Sequence, residues 1–170
     1  MKEYKVEQDE VDIKGLEANL IDNASYRGAH KRMVLACHDV FIQYGVGILL
    51  VKRLNYPAKG MLWPLGGRIK RGIAIEDSLR DKIWGEVSLE LDNITELGYA
   101  RTFFQTDPFG HGKGTDTISL VYFSRGKGFL RLDGLHEEPT IILPGDYKSN
   151  RAGLHPYVRD FMDLAVTLIK

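Results

Sequence analysis

Apolar residues recur at every fourth position from Ile75 through Leu79 and Ile83 to Val87. This spacing puts the four side chains on one stripe and predicts an amphipathic helix. Two acidic residues directly follow the first of these positions, where they suit the positive end of the helix dipole. Gly85 is the weak point of this helix, because an interior glycine costs roughly 1 kcal/mol against alanine.

Runs of β-branched and aromatic residues predict the strands. The runs occupy residues 33–42, 48–52, 95–106, 117–123, 129–132 and 140–143. A glycine-containing turn at 44–47 joins the first two runs and predicts a hairpin. A long glycine-rich loop at 107–114 separates the third and fourth, and a second hairpin turn at 124–128 precedes the fifth.

A second amphipathic pattern begins at Pro156, since proline is favoured in the first helical turn. Its predicted inner face consists of Val158, Phe161, Leu164, Ala165 and Leu168. Residues 1–30 are weakly patterned and suit a short strand or helix packed on the domain or on a partner subunit. We expect one domain over residues 1–170, with an N-terminal extension at 1–30 and a C-terminal helix at 155–170. The fold class is α+β, an α/β/α sandwich around a mixed β-sheet.

Composition narrows the function classes. The 170 residues include 23 basic and 23 acidic ones, and this balance gives no electrostatic reason to expect a long nucleic-acid footprint or an anionic membrane patch. No apolar run is long enough to span a bilayer, and the polar start lacks a signal core, so we expect a cytoplasmic protein. Cys37, the only cysteine, lies in an apolar run and is expected to be a buried, inert thiol.

Candidate chemistry begins at the adjacent pair Gly66 and Gly67, which predicts a strand, a glycine-rich turn and then the helix that carries Glu86. Glycines let the backbone approach a ligand closely, and a carboxylate is a hard oxygen ligand for Mg²⁺. The alternative is a structural turn followed by a solvated glutamate.

This segment resembles the Nudix box, the signature of the Nudix hydrolase family. Only the last of the acidic positions of the box keeps its carboxylate, at Glu86. In order, the positions of the box fall on Gly67, Ile73, Asp81, Lys82, Ile83, Gly85, Glu86 and Ser88. Residues 49–69 strengthen the likeness, which covers residues 33–145 and is greatest for GDP-mannose mannosyl hydrolase, whose box has lost similar glutamates. The resemblance implies the Nudix fold and hydrolysis of a nucleoside diphosphate sugar.

The missing carboxylates change the expected chemistry. Ile73 and Gly85 offer no ligand, and Lys82 adds a positive charge, so a site for several metal ions is not expected. We expect a single Mg²⁺ instead, bound by Glu86, the backbone carbonyl of Gly66 and oxygens of the diphosphate. Water then attacks the anomeric carbon of the sugar, and the whole nucleoside diphosphate departs.

This reaction needs a base, and His136 is the candidate because imidazole titrates near neutral pH. Its segment resembles the loop that carries the catalytic histidine in the mannosyl hydrolase, with Leu135 in place of a metal-binding amide. The alternative is a surface loop histidine.

Three further side chains are candidates for catalysis or substrate binding. Arg53 at a strand end and Arg68 after the glycines suit diphosphate oxygens, and Asp39 lies in a strand where an ionised group needs a partner. The alternative for Arg53 is a solvated arginine at a strand end, and His38 competes with Asp39 on the opposite strand face. The loop at 107–116 is a candidate cover for the site, whereas no role is assigned to His30.

The sequence is compatible with three functions. The first is the Mg²⁺-dependent hydrolysis of a nucleotide sugar. The second is an ordinary Nudix diphosphatase with carboxylates relocated to Glu76, Asp81 or Glu90. The third is a non-catalytic nucleotide-sugar binding module. The expected partner is a small molecule, and the weakly patterned first 30 residues make a homodimer a further expectation.

Overall fold

The computed structural model describes residues 1–4, 13–16 and 21–169, which contain four α-helices, three short 3-10 helices and seven strands. The helices are α1 (Asn23–Arg32), α2 (Ile75–Val87), α3 (Pro144–Asn150) and α4 (Pro156–Ala165). The strands are β1 (Leu35–Tyr44), β2 (Gly47–Arg53), β3 (Leu62–Trp63), β4 (Leu65–Arg68), β5 (Glu90–Phe104), β6 (Thr115–Lys127) and β7 (His136–Ile142). Within these residues, no helix has the length and apolar content needed to cross a membrane.

Strand β1 lies at the centre of the sheet. It pairs in parallel with β6, and antiparallel with β2 over its last residues and with β4 over its first half. The sheet order is β3-β2-β1-β6-β5, and β7 adds to β2 in antiparallel register. One parallel pair among antiparallel pairs makes the sheet mixed, which confirms the predicted fold class.

The sheet separates two hydrophobic clusters because successive residues of a strand point to opposite faces. Val40 packs with Leu79 and Ile83 of α2 on one face. Phe41 packs with Val158 and other residues of α3 and α4 on the opposite face. The result is the predicted sandwich of helix, sheet and helix layers.

Several predicted boundaries were wrong. Gly66 and Gly67 lie inside strand β4 rather than in a turn. The predicted hairpin turn at 124–128 falls mostly inside β6, which runs on to Lys127, and residues 129–132 form no strand. In α4, Leu164 is 46% exposed and Met162 is buried in its place. The predicted N-terminal extension at 1–30 ends inside helix α1, which runs on to Arg32, and residues 5–12 and 17–20 lie outside the described part.

Candidate functional site

A cavity of about 270 Å³ opens beside the sheet, between α1, α2, the segment after β2 and the start of β7. The six residues predicted from the sequence all line it: Asp39, Arg53, Gly66, Arg68, Glu86 and His136. The fold therefore brings together positions that are scattered from the first strand to the last.

Glu86 lies on the last turn of α2 and is only 6% exposed. Its Oε1 atom lies 2.8 Å from the Nζ atom of Lys82, one helical turn earlier. Its Oε2 atom is buried and has no hydrogen-bond partner among the described residues. An unsatisfied buried oxygen is costly, so this atom is available to a cation or a hydrogen-bond donor.

The loop after β6 brings a second carboxylate to Glu86. The backbone N–H of Asp133 donates to the Glu86 carbonyl at 2.8 Å, and that of Arg131 donates to the Val87 carbonyl at 3.0 Å. These bonds satisfy carbonyls that the last helical turn leaves free. The Oδ1 atom of Asp133 in turn lies 2.8 Å from Nδ1 of His136, which fixes the orientation of the imidazole ring.

These residues fit a divalent cation. Glu86, Asp133 and His136 each offer a ligand atom, and the three atoms lie within 4.8 Å of one another. Carboxylate oxygens suit Mg²⁺, and an imidazole nitrogen extends the choice to transition metals such as Mn²⁺. Glu86 has an oxygen without a partner among the described residues, so it can contribute a ligand atom without breaking a hydrogen bond. Sequence reasoning missed Asp133, for which the spacing of three residues from His136 was the available signal.

Asp39 lines the cavity and is hydrogen-bonded to a residue of helix α4. The hydroxyl of Tyr157 donates to its Oδ2 atom at 2.5 Å. Burial raises the pKa of Asp39 to about 6, against the lowering effects of Tyr157, Ser119 and the charge of Arg53. Tyr157 also stacks on Trp63, with ring centroids 5.0 Å apart. No local sequence signal identifies Tyr157, because its partner lies on the first strand.

Arg53 ends β2 directly opposite His136 of β7. Its Nε atom donates to the Pro57 carbonyl at 2.9 Å, and its Nη2 atom donates to the Asn55 side chain at 3.2 Å. Burial lowers the pKa of Arg53, while the neighbouring carboxylates of Asp39 and others oppose this shift. The guanidinium is thus held in place while it lines the cavity.

Strand β4 brings the backbone close to Asp39. Gly66 is paired with Asp39, and a Cβ atom added there would lie 2.6 Å from the Asp39 Oδ1 atom and also against the His38 carbonyl. Only glycine fits at this position. Arg68 ends the strand, with its guanidinium carbon 3.6 Å from the centroid of the Tyr26 ring. Stacking leaves the N–H groups at the guanidinium edge free to donate.

Aromatic side chains from α1 and from the loop at 107–114 form another part of the cavity lining. Phe109 and Tyr26 pack edge to face, and His30, to which the sequence assigned no role, contacts both rings and lines the cavity. The Nδ1 atom of His30 lies 2.9 Å from Nε2 of His111, which ties α1 to the loop at 107–114. His38 faces away from the cavity, with its Nε2 atom 2.9 Å from the Ser78 hydroxyl.

This architecture is similar to that of several solved structures. A MutT Nudix hydrolase from Burkholderia pseudomallei superposes with a TM-score of 0.62 at 19% identity, over 78% of this chain and 98% of that one. A MutT protein from Methanosarcina mazei Go1 gives 0.58 at 15% identity, over 77% and 91%. The Nudix domain of Shewanella oneidensis NrtR, crystallised with ADP-ribose, gives 0.58 at 13% identity, over 85% and 98%.

The chain has the Nudix hydrolase fold. No protein-family model matches the sequence, and no curated protein sequence matches it. The Nudix fold is therefore established by structure, while the likeness to GDP-mannose mannosyl hydrolase at residues 49–69 stays a prediction.

In this Nudix fold, the relocated carboxylates considered above lie outside the cavity. Asp81 pairs with Lys70 at 2.8 Å, and Glu76 lies 3.9 Å from Arg80. Glu90 is exposed at the start of β5. The carboxylate that does lie beside Glu86 is Asp133. Cys37 is buried as predicted, and burial raises the pKa of its thiol to about 12.

Proposed function

We propose that the protein hydrolyses a nucleoside diphosphate sugar, with water attacking the anomeric carbon and one divalent cation, Mg²⁺ in the first instance, assisting. The observation that carries this proposal is the hydrogen-bonded Asp133–His136 pair beside Glu86, which has one oxygen without a partner among the described residues. GDP-mannose is the first substrate to test, because the resemblance at residues 49–69 points to it.

His136 acts as the base in this proposal. Asp133 holds the Nδ1 side of the ring at 2.8 Å, which leaves the Nε2 atom to take a proton from water. The new bond joins the water oxygen to the anomeric carbon, and the bond from that carbon to the diphosphate oxygen breaks. The electron pair of the broken bond leaves with the diphosphate.

The departing diphosphate needs positive charge. Arg53 lines the cavity opposite His136, and a guanidinium binds two phosphate oxygens at once. Arg68 supplies a second guanidinium, held by its stacking on Tyr26. A divalent cation held by Glu86 and Asp133 would neutralise further charge on the leaving group. The negative charge of Asp39 acts on the guanidinium of Arg53 and partly offsets its positive charge.

A second candidate is a binding module without turnover. The ion pair between Lys82 and Glu86 favours it, because one of the Glu86 oxygens already has a cationic partner. The structurally similar Nudix domain of Shewanella oneidensis NrtR was crystallised with ADP-ribose, so in that protein the fold binds a nucleotide linked to a sugar.

Hydrolysis in ¹⁸O-labelled water separates the candidates. GDP-mannose and other nucleotide sugars are incubated with the protein and Mg²⁺, and the products are analysed by mass spectrometry. We expect the label in the sugar and release of intact nucleoside diphosphate. Label in a phosphate would show attack on phosphorus, as in an ordinary diphosphatase. Binding without any product would select the non-catalytic module.

A further inference from the structure

Lys82 occupies the place beside Glu86 where a free cation would otherwise be expected. Its Nζ atom lies 2.8 Å from the Oε1 atom of Glu86, and both residues line the cavity. The Glu86 side chain is 7% exposed, whereas that of Lys82 is 35% exposed. An ammonium group has three donors, so one bond to Glu86 leaves the others for a ligand.

The position of Lys82 depends on the adjacent strand. A Cβ atom added at Gly67 would lie 2.8 Å from the Lys82 Cε atom and 3.4 Å from its Nζ atom. The absence of a side chain at Gly67 therefore makes room for the lysine stem between α2 and β4. A lysine held by packing loses less conformational freedom when it binds a ligand than a solvated one does.

The charges around the cavity give this ammonium a function. Arg53 and Arg68 line it together with the carboxylates of Asp39 and Glu86, and Asp133 is hydrogen-bonded to His136, which also lines it. Without Lys82, three carboxylates would face two guanidinium groups when Asp39 is ionised. Lys82 brings these charges into balance, so that a diphosphate anion does not meet an excess of negative charge.

We propose that Lys82 is a tethered cation that substitutes for a divalent ion in ligand binding, so that the cavity binds a diphosphate without added metal. This inference rests on the proposed function in one respect, namely that the cavity is the diphosphate site. It adds that Lys82 contacts the diphosphate while it remains paired with Glu86.

Calorimetric titration in EDTA tests the proposal. The ligands are inorganic pyrophosphate, which has no base to be recognised, and ADP and GDP. The wild-type protein is expected to bind in EDTA. Lys82→Met, which keeps the stem over Gly67 but removes the charge, is expected to weaken binding by roughly tenfold or more. Lys82→Arg restores the charge and should retain most of the affinity.

Lys70→Met is the matched control, because Lys70 makes an ion pair of the same length with Asp81 outside the cavity. Its affinity in EDTA should equal that of the wild type. Thermal unfolding checks that each variant is folded, and Lys82→Gln replaces Lys82→Met if the latter does not fold. The proposal is overturned if Lys82→Met and Lys70→Met bind with equal affinity in EDTA. It is also overturned if the wild-type protein binds none of the three ligands in EDTA.

The outcome is separable from that of the proposed function. Label from ¹⁸O-water in a phosphate, or no turnover, would contradict the proposed reaction and leave affinities in EDTA unaffected. Release of labelled sugar by a protein that binds no diphosphate in EDTA would contradict only the assignment of Lys82.

Discussion

Partner side chains decide what the ionisable residues of the cavity can do. His136 has one hydrogen-bonded side chain among the described residues, Asp133, and the bond is made at Nδ1. Glu86 has one oxygen on Lys82 and one without a partner. The first arrangement fixes the orientation of the imidazole, and the second leaves a carboxylate oxygen available, which is what the proposed base and the proposed cation ligand each need.

Removal of the base should therefore affect turnover rather than binding. His136→Ala is expected to lower kcat by roughly 10²- to 10⁴-fold with little change in KM, because general base catalysis contributes on that scale. Asp133→Asn, which keeps the shape of the side chain but not the charge, should lower kcat by a smaller factor. Steady-state kinetics on the substrate found in the ¹⁸O experiment measures both.

Added imidazole provides the control for this prediction. Free imidazole can enter the space left in His136→Ala and restore part of the activity, whereas it cannot correct a structural defect. Unchanged kcat in His136→Ala would exclude the residue as the base.

At the residue scale, the sequence identified candidate site residues by their side-chain chemistry, but it did not identify the residues that they contact. Glu86 and His136 were identified because the box frame and the imidazole each point to a reaction. Asp133 and Tyr157 were missed, because their functions come from contacts with residues of other elements. Lys82 was recognised only as a charge that disfavours metal clusters, and its ion pair with Glu86 emerged from the helix geometry.

At the scale of elements, β4 depends on glycine more than α2 does. Gly66 has φ of +155°, and a side chain there would collide with the backbone of β1. Gly85 lies in the interior of α2, where an added Cβ atom meets nothing within 4 Å. The same substitution should therefore have opposite effects at these two positions.

Gly66→Ala is expected to destabilise the protein by about 3 kcal/mol, through backbone strain and the clash with β1. Gly85→Ala should stabilise it by about 1 kcal/mol, the difference in helix propensity. Urea denaturation gives both free energies of unfolding. A Gly66→Ala protein as stable as the wild type would show that β4 does not approach β1 as described.

Elements with a clear period were predicted, and those defined by long-range bonds were not. The stripe from Ile75 to Val87 predicted α2 with the bounds it has. Residues 129–132 have the apolar content of a strand, but the N–H of Arg131 donates to the carbonyl of Val87 instead of to a sheet neighbour. The loop is hydrogen-bonded to the C-terminal end of α2, which lies more than 40 residues earlier in the chain, so no local sequence pattern predicts the contact.

At the scale of the whole molecule, buried ionisable groups on both faces of the sheet couple stability to pH. Burial raises the pKa of Asp39 to about 6. On the opposite face, burial lowers the pKa of His38. Burial and the nearby His111 lower the pKa of His30, which links α1 to the loop at 107–114. These shifts act on stability with opposite signs.

The signs follow from which state holds the proton. Between pH 4 and 6, folded Asp39 keeps a proton that the unfolded chain has lost, so the contribution of this group to stability falls as the pH rises. Below pH 6.5, the unfolded chain protonates His30 and His38 more readily than the folded protein does, so their contribution rises with pH. The two effects oppose each other in the same window.

Asp39→Asn separates these effects, because asparagine keeps the size of the side chain and does not titrate. The shift from 3.8 to about 6 corresponds to ~3 kcal/mol of wild-type stability lost between pH 4 and 7, which the variant should not lose. We therefore expect its free energy of unfolding, measured in urea, to rise with pH more steeply than that of the wild type. The comparison uses the slopes with pH rather than the absolute stabilities, since loss of the Tyr157 contact lowers stability at every pH. Parallel slopes would mean that Asp39 titrates as an ordinary surface carboxylate, and that the cavity floor is open to water.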